Sequence, residues 1–342
     1  MSEIHMDVWR AIYGDAFLRG EAFSNLGYLC DTIGNRFAGT PGDTAARAFV
    51  AGKFEDYGLK VHEEELPFLA WQRGRAEGGI IAPVSHAFQT ISLGYSAATS
   101  PEGLIGEPLF LNYGHPRDFE ASGEQIRGKI AFVMEGSAPG DRFVHRSEKT
   151  GLAIERGAVG YLNMSNIPGG LPLTGTCRFG QASPIPCAGI TRENGEFLKR
   201  LLSSSSEVRV RLVLENTFRE TTSANVIAEL PGTDRADEIV LVGGHLDAWD
   251  IAQGAMDNGT GAVVVMEAAR LLQAHRDRLR RTVRFVAFGL EEIGLAGSSA
   301  YVERHRRDLD RIVAMLNLDI VGVPVRFNVE GFDSLIPLAE SF

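Results

Sequence analysis

The chain has 342 residues, more than one ordinary hydrophobic core organises, so two domains are expected. Its composition of 44% hydrophobic and 23% charged residues is that of a globular protein and excludes a largely disordered one. A formal net charge of −10 argues against nucleic acid as a partner, because phosphate recognition requires a basic face.

In chain order, residues 7–33 predict helix, with Phe17, Leu18, Phe23, Leu26, Leu29 and Ile33 falling on roughly one face. Residues 39–43, GTPGD, break that pattern and offer caps for a second helix over 44–57, which Gly58 stops. Strands are predicted over 61–67, 76–82 and 87–93. From 101 to 215 the character changes. A strand at 128–133, a small-residue helix at 149–157, a strand at 159–163, a Gly- and Pro-rich stretch, a helix at 193–202 and a strand at 208–214 read as a compact β/α insert. Beyond it, strands at 224–230, 238–243, 282–288 and 312–318 are separated by helices at 261–273 and 297–307. Strands alternating with helices predict an α/β fold with a mostly parallel central sheet flanked by helices. One more strand, 325–330, and the first turns of a helix, 334–342, close the sequence.

Cys30, Cys177 and Cys187 form no tight metal-type pair. Only Cys177 and Cys187 are near enough in sequence for a short-loop disulfide, and free thiols are expected. The first twenty residues show no basic segment followed by an apolar core, and no run approaches the ~20 apolar residues of a membrane helix. The expectation is a cytoplasmic chain with no membrane partner, secretion staying open.

The chemistry gathers at strand ends. An apolar run over 238–243 leads into His245 and Asp247. Asp257, Asn258 and Gly259 then precede the helix at 261–273, whose N-terminal dipole favours an anion. Glu291 and Glu292 follow the strand at 282–288, and Asp319 follows the strand at 312–318. Taken singly, each has an ordinary explanation: a solvated strand-end His, an acidic helix start, an N-cap, a turn. Those explanations give no reason for successive strand ends to carry acid or imidazole. A parallel sheet converges such positions on its carboxyl edge, and an imidazole-plus-carboxylate set without thiolate suits zinc and tolerates cobalt or manganese. Asp247, two residues from His245, is placed to hydrogen-bond or stiffen the ligand loop. Adjacent carboxylates at 291–292 can divide the work, one on metal and one taking a proton.

The blocks GGHLDAWDIAQGAMDNGTGAVVVMEAAR, FVAFGLEEIGLAGSSAY and VAMLNLDIVG resemble the three metal-site blocks of the di-zinc exopeptidases, which include bacterial aminopeptidases, glutamate carboxypeptidase and carboxypeptidase Q. HLDAWDIAQGAMDNG and the early LCDTIGNRFAGTPGDTAARAFV are most similar to the carboxypeptidase Q branch. GKIAFV, GAVGYLNMSN and SPIPCAGITRENGEFLKRLL resemble the protease-associated domain that many members carry. The resemblance thus implies a discontinuous metallopeptidase catalytic domain over 1–100 and 216–342, interrupted by a protease-associated insert over 101–215. It implies His245 and Asp319 as ligands of one zinc, Asp257 as the bridge between two, and Glu292 on the second. Glu291 becomes the general base, Asp247 the partner of His245, and Asp257–Asn258 a candidate cis peptide. The implied reaction is hydrolysis of small peptides by an exopeptidase or dipeptidase. Glu291 takes a proton from the attacking water and returns it to the leaving amine.

Members of the family also place a histidine on the second zinc near the end of the catalytic domain, and no histidine follows Asp319. The expectation is a C-terminally truncated chain whose continuation supplies that ligand, with a weak second zinc site as written. His275 and His305, at helix ends beside arginines, are expected to be solvated. Two alternatives share the fold: a metal-depleted receptor or binding protein, against which the five retained acidic and imidazole positions argue, and a single-zinc cyclase or amidase. The insert is expected to lid the site or to cap a homodimer.

Overall fold

The structure is a computed structural model that describes residues 3–205, 207–322, 328–329 and 333–339. The N-terminal helices are α1 (Glu3–Arg19), α2 (Ala22–Gly27), continued by a π-helical turn over Tyr28–Ile33, and α3 (Pro41–Asp56). Strands β1 (Lys60–Gln72), β2 (Ala76–Ala82), β3 (His86–Phe88), β4 (Thr90–Ser92), β5 (Leu104–Gly106) and β6 (Pro108–Phe110) follow. Next come α4 (Pro116–Ser122), β7 (Ile130–Met134), α5 (Arg146–Glu155), β8 (Gly160–Met164), β9 (Cys187–Ile190), α6 (Arg192–Ser204) and β10 (Arg209–Leu214). The rest comprises β11 (Thr217–Leu230), β12 (Arg235–His245), α7 (Thr260–Gln273), β13 (Arg281–Phe288), α8 (Ala296–Arg304) and β14 (Ile312–Asn317), with a short helix at Ile336–Ala339.

These elements divide into two compact units, one of Met1–Glu65, Ala224–Gly289 and Ala300–Phe342, the other of Leu66–Ser223 with Leu290–Ser299. The first is built on a five-stranded sheet in the order β1-β11-β13-β12-β14. β12 pairs in parallel with β13 on one side and β14 on the other, while β11 runs antiparallel to β13. β12 and β13 are apolar on successive residues because both of their faces are covered. On one face α3 and α7 bring Val50, Phe54, Val263, Met266 and Ala269 against Val226, Val242 and Phe285. Burying a side chain such as Phe285 contributes roughly 1.5–3 kcal/mol. α3 begins where GTPGD predicts a cap: the Thr40 hydroxyl accepts from the Asp43 amide at 3.3 Å, with Pro41 in the first turn.

The second unit holds two sheets, β3-β2-β10-β5 and β4-β9-β8-β7-β6. β6 to β9 are parallel, and β4 closes their edge antiparallel to β9. This unit starts upstream of the compositional change at 101. β2 is zipped along β10, and β4 along β9, so strands before 101 share its core. The single strand predicted over 87–93 is two short strands belonging to different sheets.

His305 corrects an expectation. Its Nε2 lies 2.6 Å from Glu64 Oε1 and its ring stacks on Tyr301 at 4.3 Å, so it is packed rather than solvated, whereas His275 is partly exposed. The three cysteines are unpaired by disulfide, as expected, with Cys177 and Cys187 buried. The strand predicted at 325–330 lies, apart from residues 328 and 329, outside the described residues. Among the described residues no helix is long and apolar enough to cross a membrane.

Candidate metal centre

β12 ends at His245, whose side chain is 4% exposed. Its Nδ1 faces the Asp247 carbonyl oxygen at 3.0 Å, with the Asp247 carboxylate at 3.6 Å, so the backbone of the predicted partner is nearer to the ring than its carboxylate. That contact turns Nε2 outward, the arrangement a histidine ligand needs. Nε2 lies 3.0 Å from Asp257 Oδ1 and 3.5 Å from Asp319 Oδ1. One donor atom from each of the three residues falls within 4.8 Å of the others.

Asp257 comes from the turn Ala255–Gly259 that leads into α7. Asp257 and Asn258 there depart from helical φ/ψ, and the peptide between them is cis. Asp319 follows β14, whose register on β12 is carried one step further by the Leu318 amide donating to the Gly243 carbonyl at 2.8 Å. Ile320, next in the chain, has φ 52, the left-handed region that β-branched residues rarely adopt.

Asn258, given by the sequence as a turn residue and as half of a candidate cis peptide, does more than either. It is fully buried; its Nδ2 donates to the Leu318 carbonyl at 2.8 Å, and its Oδ1 accepts from the amides of Gly261 at 3.0 Å and Ile320 at 3.2 Å. One amide side chain therefore grips the backbone on both sides of Asp319 while its own backbone follows Asp257. Gly244 permits the close approach: a Cβ there would lie 2.7 Å from the Leu318 oxygen. The only sequence sign of this staple is an Asn directly after an acidic residue at a helix mouth.

The electrostatics are those of a cation site. Burial opposes charge on the His245 imidazole, but Asp247, Asp257 and Asp319 outweigh it and hold its pKa well above the ordinary histidine range. One imidazole nitrogen cannot satisfy two carboxylates, whereas a dication at their common point would satisfy all three. Donors on a tetrahedral zinc, with bonds of ~2.0–2.1 Å, sit about 3.3 Å apart, and the separations of 3.0 and 3.5 Å bracket that value. These residues fit the metal that the donor chemistry implies. The carboxylates of Asp257 and Asp319 stay 51% and 37% exposed, so the cluster opens to solvent and to ligand.

Glu291 and Glu292 belong to the other unit. They occupy the turn after Leu290, itself at φ 60, and the turn is closed by the Gly294 and Leu295 amides donating to the Glu291 carbonyl at 2.8 and 2.9 Å. Leu290 and Ile293 are buried on either side, and both glutamates are partly exposed.

Known proteins resemble this chain in sequence and fold. The model of peptidase family M28 matches residues 225–328, the stretch from β11 past Asp319. A solved structure described as a peptidase M28 precursor from Shewanella amazonensis superposes with a TM-score of 0.80 at 30% identity, covering 93% of this chain and 74% of that one. A zinc aminopeptidase from Bacillus subtilis superposes with a TM-score of 0.66 at 29% identity, covering 88% of this chain and 68% of that one. In sequence, mouse carboxypeptidase Q is 31% identical over 315 residues, 90% of this chain and 66% of the relative. The chain belongs to peptidase family M28. It spans about two thirds of the length of the carboxypeptidase Q relatives it matches.

Proposed function

We propose that the chain is a zinc-dependent exopeptidase or dipeptidase that hydrolyses peptide bonds of small peptides. The observation that carries this reading is the convergence of His245 Nε2 with the carboxylates of Asp257 and Asp319 at the ends of two parallel strands and the mouth of α7. The names borne by similar proteins, zinc aminopeptidase and carboxypeptidase Q, give the reaction class. His245, Asp257 and Asp319 would hold one zinc, and Asp257 and Glu292 would serve a second. When bound, zinc supplies water acidified toward neutrality and a polarised substrate carbonyl. Glu291 accepts the proton of the attacking water and delivers it to the departing amine. Asp247, through its carbonyl, keeps His245 Nδ1 protonated and Nε2 available. The segment 101–215 is, on this reading, a protease-associated domain within the second unit.

The test pairs zinc analysis with turnover on dipeptides and aminoacyl amides. Glu291→Gln is expected to retain zinc at the wild-type ratio and lose about 10²–10⁴-fold or more in kcat. Near wild-type turnover in that variant would overturn the base assignment, and a wild-type chain that binds no zinc would overturn the reading as a whole.

A further inference from the structure

The segment Gly34-Asn35-Arg36-Phe37 contributes no metal donor, yet it packs against the loop that separates His245 from Asp257. Arg36 is fully buried. Its Nε donates to the Leu246 carbonyl at 2.8 Å, one Nη to the Gln253 carbonyl at 2.6 Å and the Gly34 carbonyl at 3.2 Å, and the other Nη to the Gly254 carbonyl at 2.8 Å. Leu246 directly follows the histidine ligand, and Gly254 stands three residues before the aspartate. A single guanidinium thus ties the two ends of the ligand loop together.

Three further contacts fasten the same loop. The Ala248 amide donates to the Arg36 carbonyl at 3.4 Å, and the Phe37 ring stacks on Trp249 at 4.8 Å. The Gly254 carbonyl also accepts from the Gly259 amide at 2.8 Å, which passes the constraint into the turn bearing Asp257. Gly254 has φ 61, and a Cβ there would lie 2.9 Å from both Arg36 Nη2 and the Asp257 carbonyl oxygen and would collide with Ala248. The packing admits only glycine at this point.

We propose that Arg36 is a positioning residue for the zinc site, setting the separation and direction of Asp257 relative to His245. A buried guanidinium is costly unless its donors are met, and here the loop carbonyls meet them, so loop order and Arg36 burial are one event. Lysine has a point charge and no planar fork, and cannot span carbonyls at both loop ends. The inference rests on the zinc reading above.

The test measures zinc affinity of the full chain by competition with a chromophoric chelator, the absorption spectrum of the cobalt-substituted protein, and Tm in EDTA. Arg36→Lys is expected to bind zinc at least about tenfold more weakly, the range seen when a group supporting metal ligands is lost, and to shift the cobalt spectrum. Val50→Ala, which removes fully buried volume from α3 in the same unit, should lower Tm yet keep wild-type affinity and spectrum. Wild-type affinity and spectrum in Arg36→Lys would overturn the proposal. Should that variant not fold, Phe37→Leu removes the aromatic stack on Trp249 that holds the same loop against the Arg36 segment, and it is expected to weaken zinc and shift the cobalt spectrum in the same direction. An unchanged affinity and spectrum there would overturn the proposal equally. Absence of zinc binding by the wild-type chain would overturn both this inference and the reading beneath it.

Discussion

Both units end parallel strands at a carboxyl edge lined with polar side chains, and the two edges are finished in opposite ways. In the second unit, Glu135 after β7 accepts from Asn163 Nδ2 at 2.9 Å and lies 3.8 Å from Arg146 Nη1. Fully buried Lys149 donates to the carbonyls of Met134 and Gly136 at 3.2 Å, and burial holds its amine below the ordinary lysine range although Glu135 pulls the other way. The acid and the cations there are matched, and Asn163 Oδ1 alone of this group is buried without a hydrogen-bond partner among the described residues. In the first unit, two carboxylates share one imidazole nitrogen. A balanced edge holds a fold together, whereas an edge with surplus acid among the described residues carries charge that a bound cation would offset.

The largest effect should come from the unbalanced edge. His245→Ala removes the nitrogen donor and is expected to weaken zinc by more than about 100-fold, beyond what loss of a supporting residue does. Titration calorimetry giving affinity within a few-fold of wild type would deny the site. Asn258→Ala leaves the Leu318 carbonyl and two amides without their buried partner. It should cost about 2–4 kcal/mol of unfolding free energy and also weaken zinc, joining stability to metal binding at this edge alone.

At the balanced edge, Lys149→Met should cost about 2–3 kcal/mol through lost charged hydrogen bonds, with zinc affinity unchanged. Denaturant unfolding beside zinc titration checks this, and a matching loss of affinity would erase the contrast between the edges. The smallest effect concerns Asp15. Burial would raise its pKa, but Arg270 and Arg19 outweigh that and hold the carboxyl below its ordinary range. A depressed carboxylate contributes above its unfolded pKa, ~3.9, and the contribution is lost as pH falls through the folded value. Asp15→Asn should therefore cost at most about 1 kcal/mol at neutral pH and nothing at low pH, as Tm measured against pH would show. A penalty that grew on acidification would contradict the sign.

The contrast was partly legible in the sequence. Long elements with clear periodicity, α3, α7, β12 and β13, lie within a few residues of their predicted positions, and the clustering of His245, Asp257 and Asp319 follows from strand-end chemistry. Short strands did not announce themselves. β5, β6 and β9 have three or four residues each, too few for a period, and β9 lies in a Gly- and Pro-rich stretch that reads as loop. β11 runs back to Thr217 through polar, partly exposed residues that lack strand alternation. Arg36, Asn258 and His305 escaped for a common reason. Each is a polar residue with at least one partner remote in sequence, backbone carbonyls for the first two and Glu64 for the third. No local pattern encodes such pairings.

Anomalous diffraction at the zinc edge, from crystals grown with zinc, decides whether His245, Asp257 and Asp319 share one cation. A peak is expected within ~2.0–2.2 Å of His245 Nε2 and of a carboxylate oxygen from each aspartate. A zinc peak bound by other residues, with none at this triad, would contradict it.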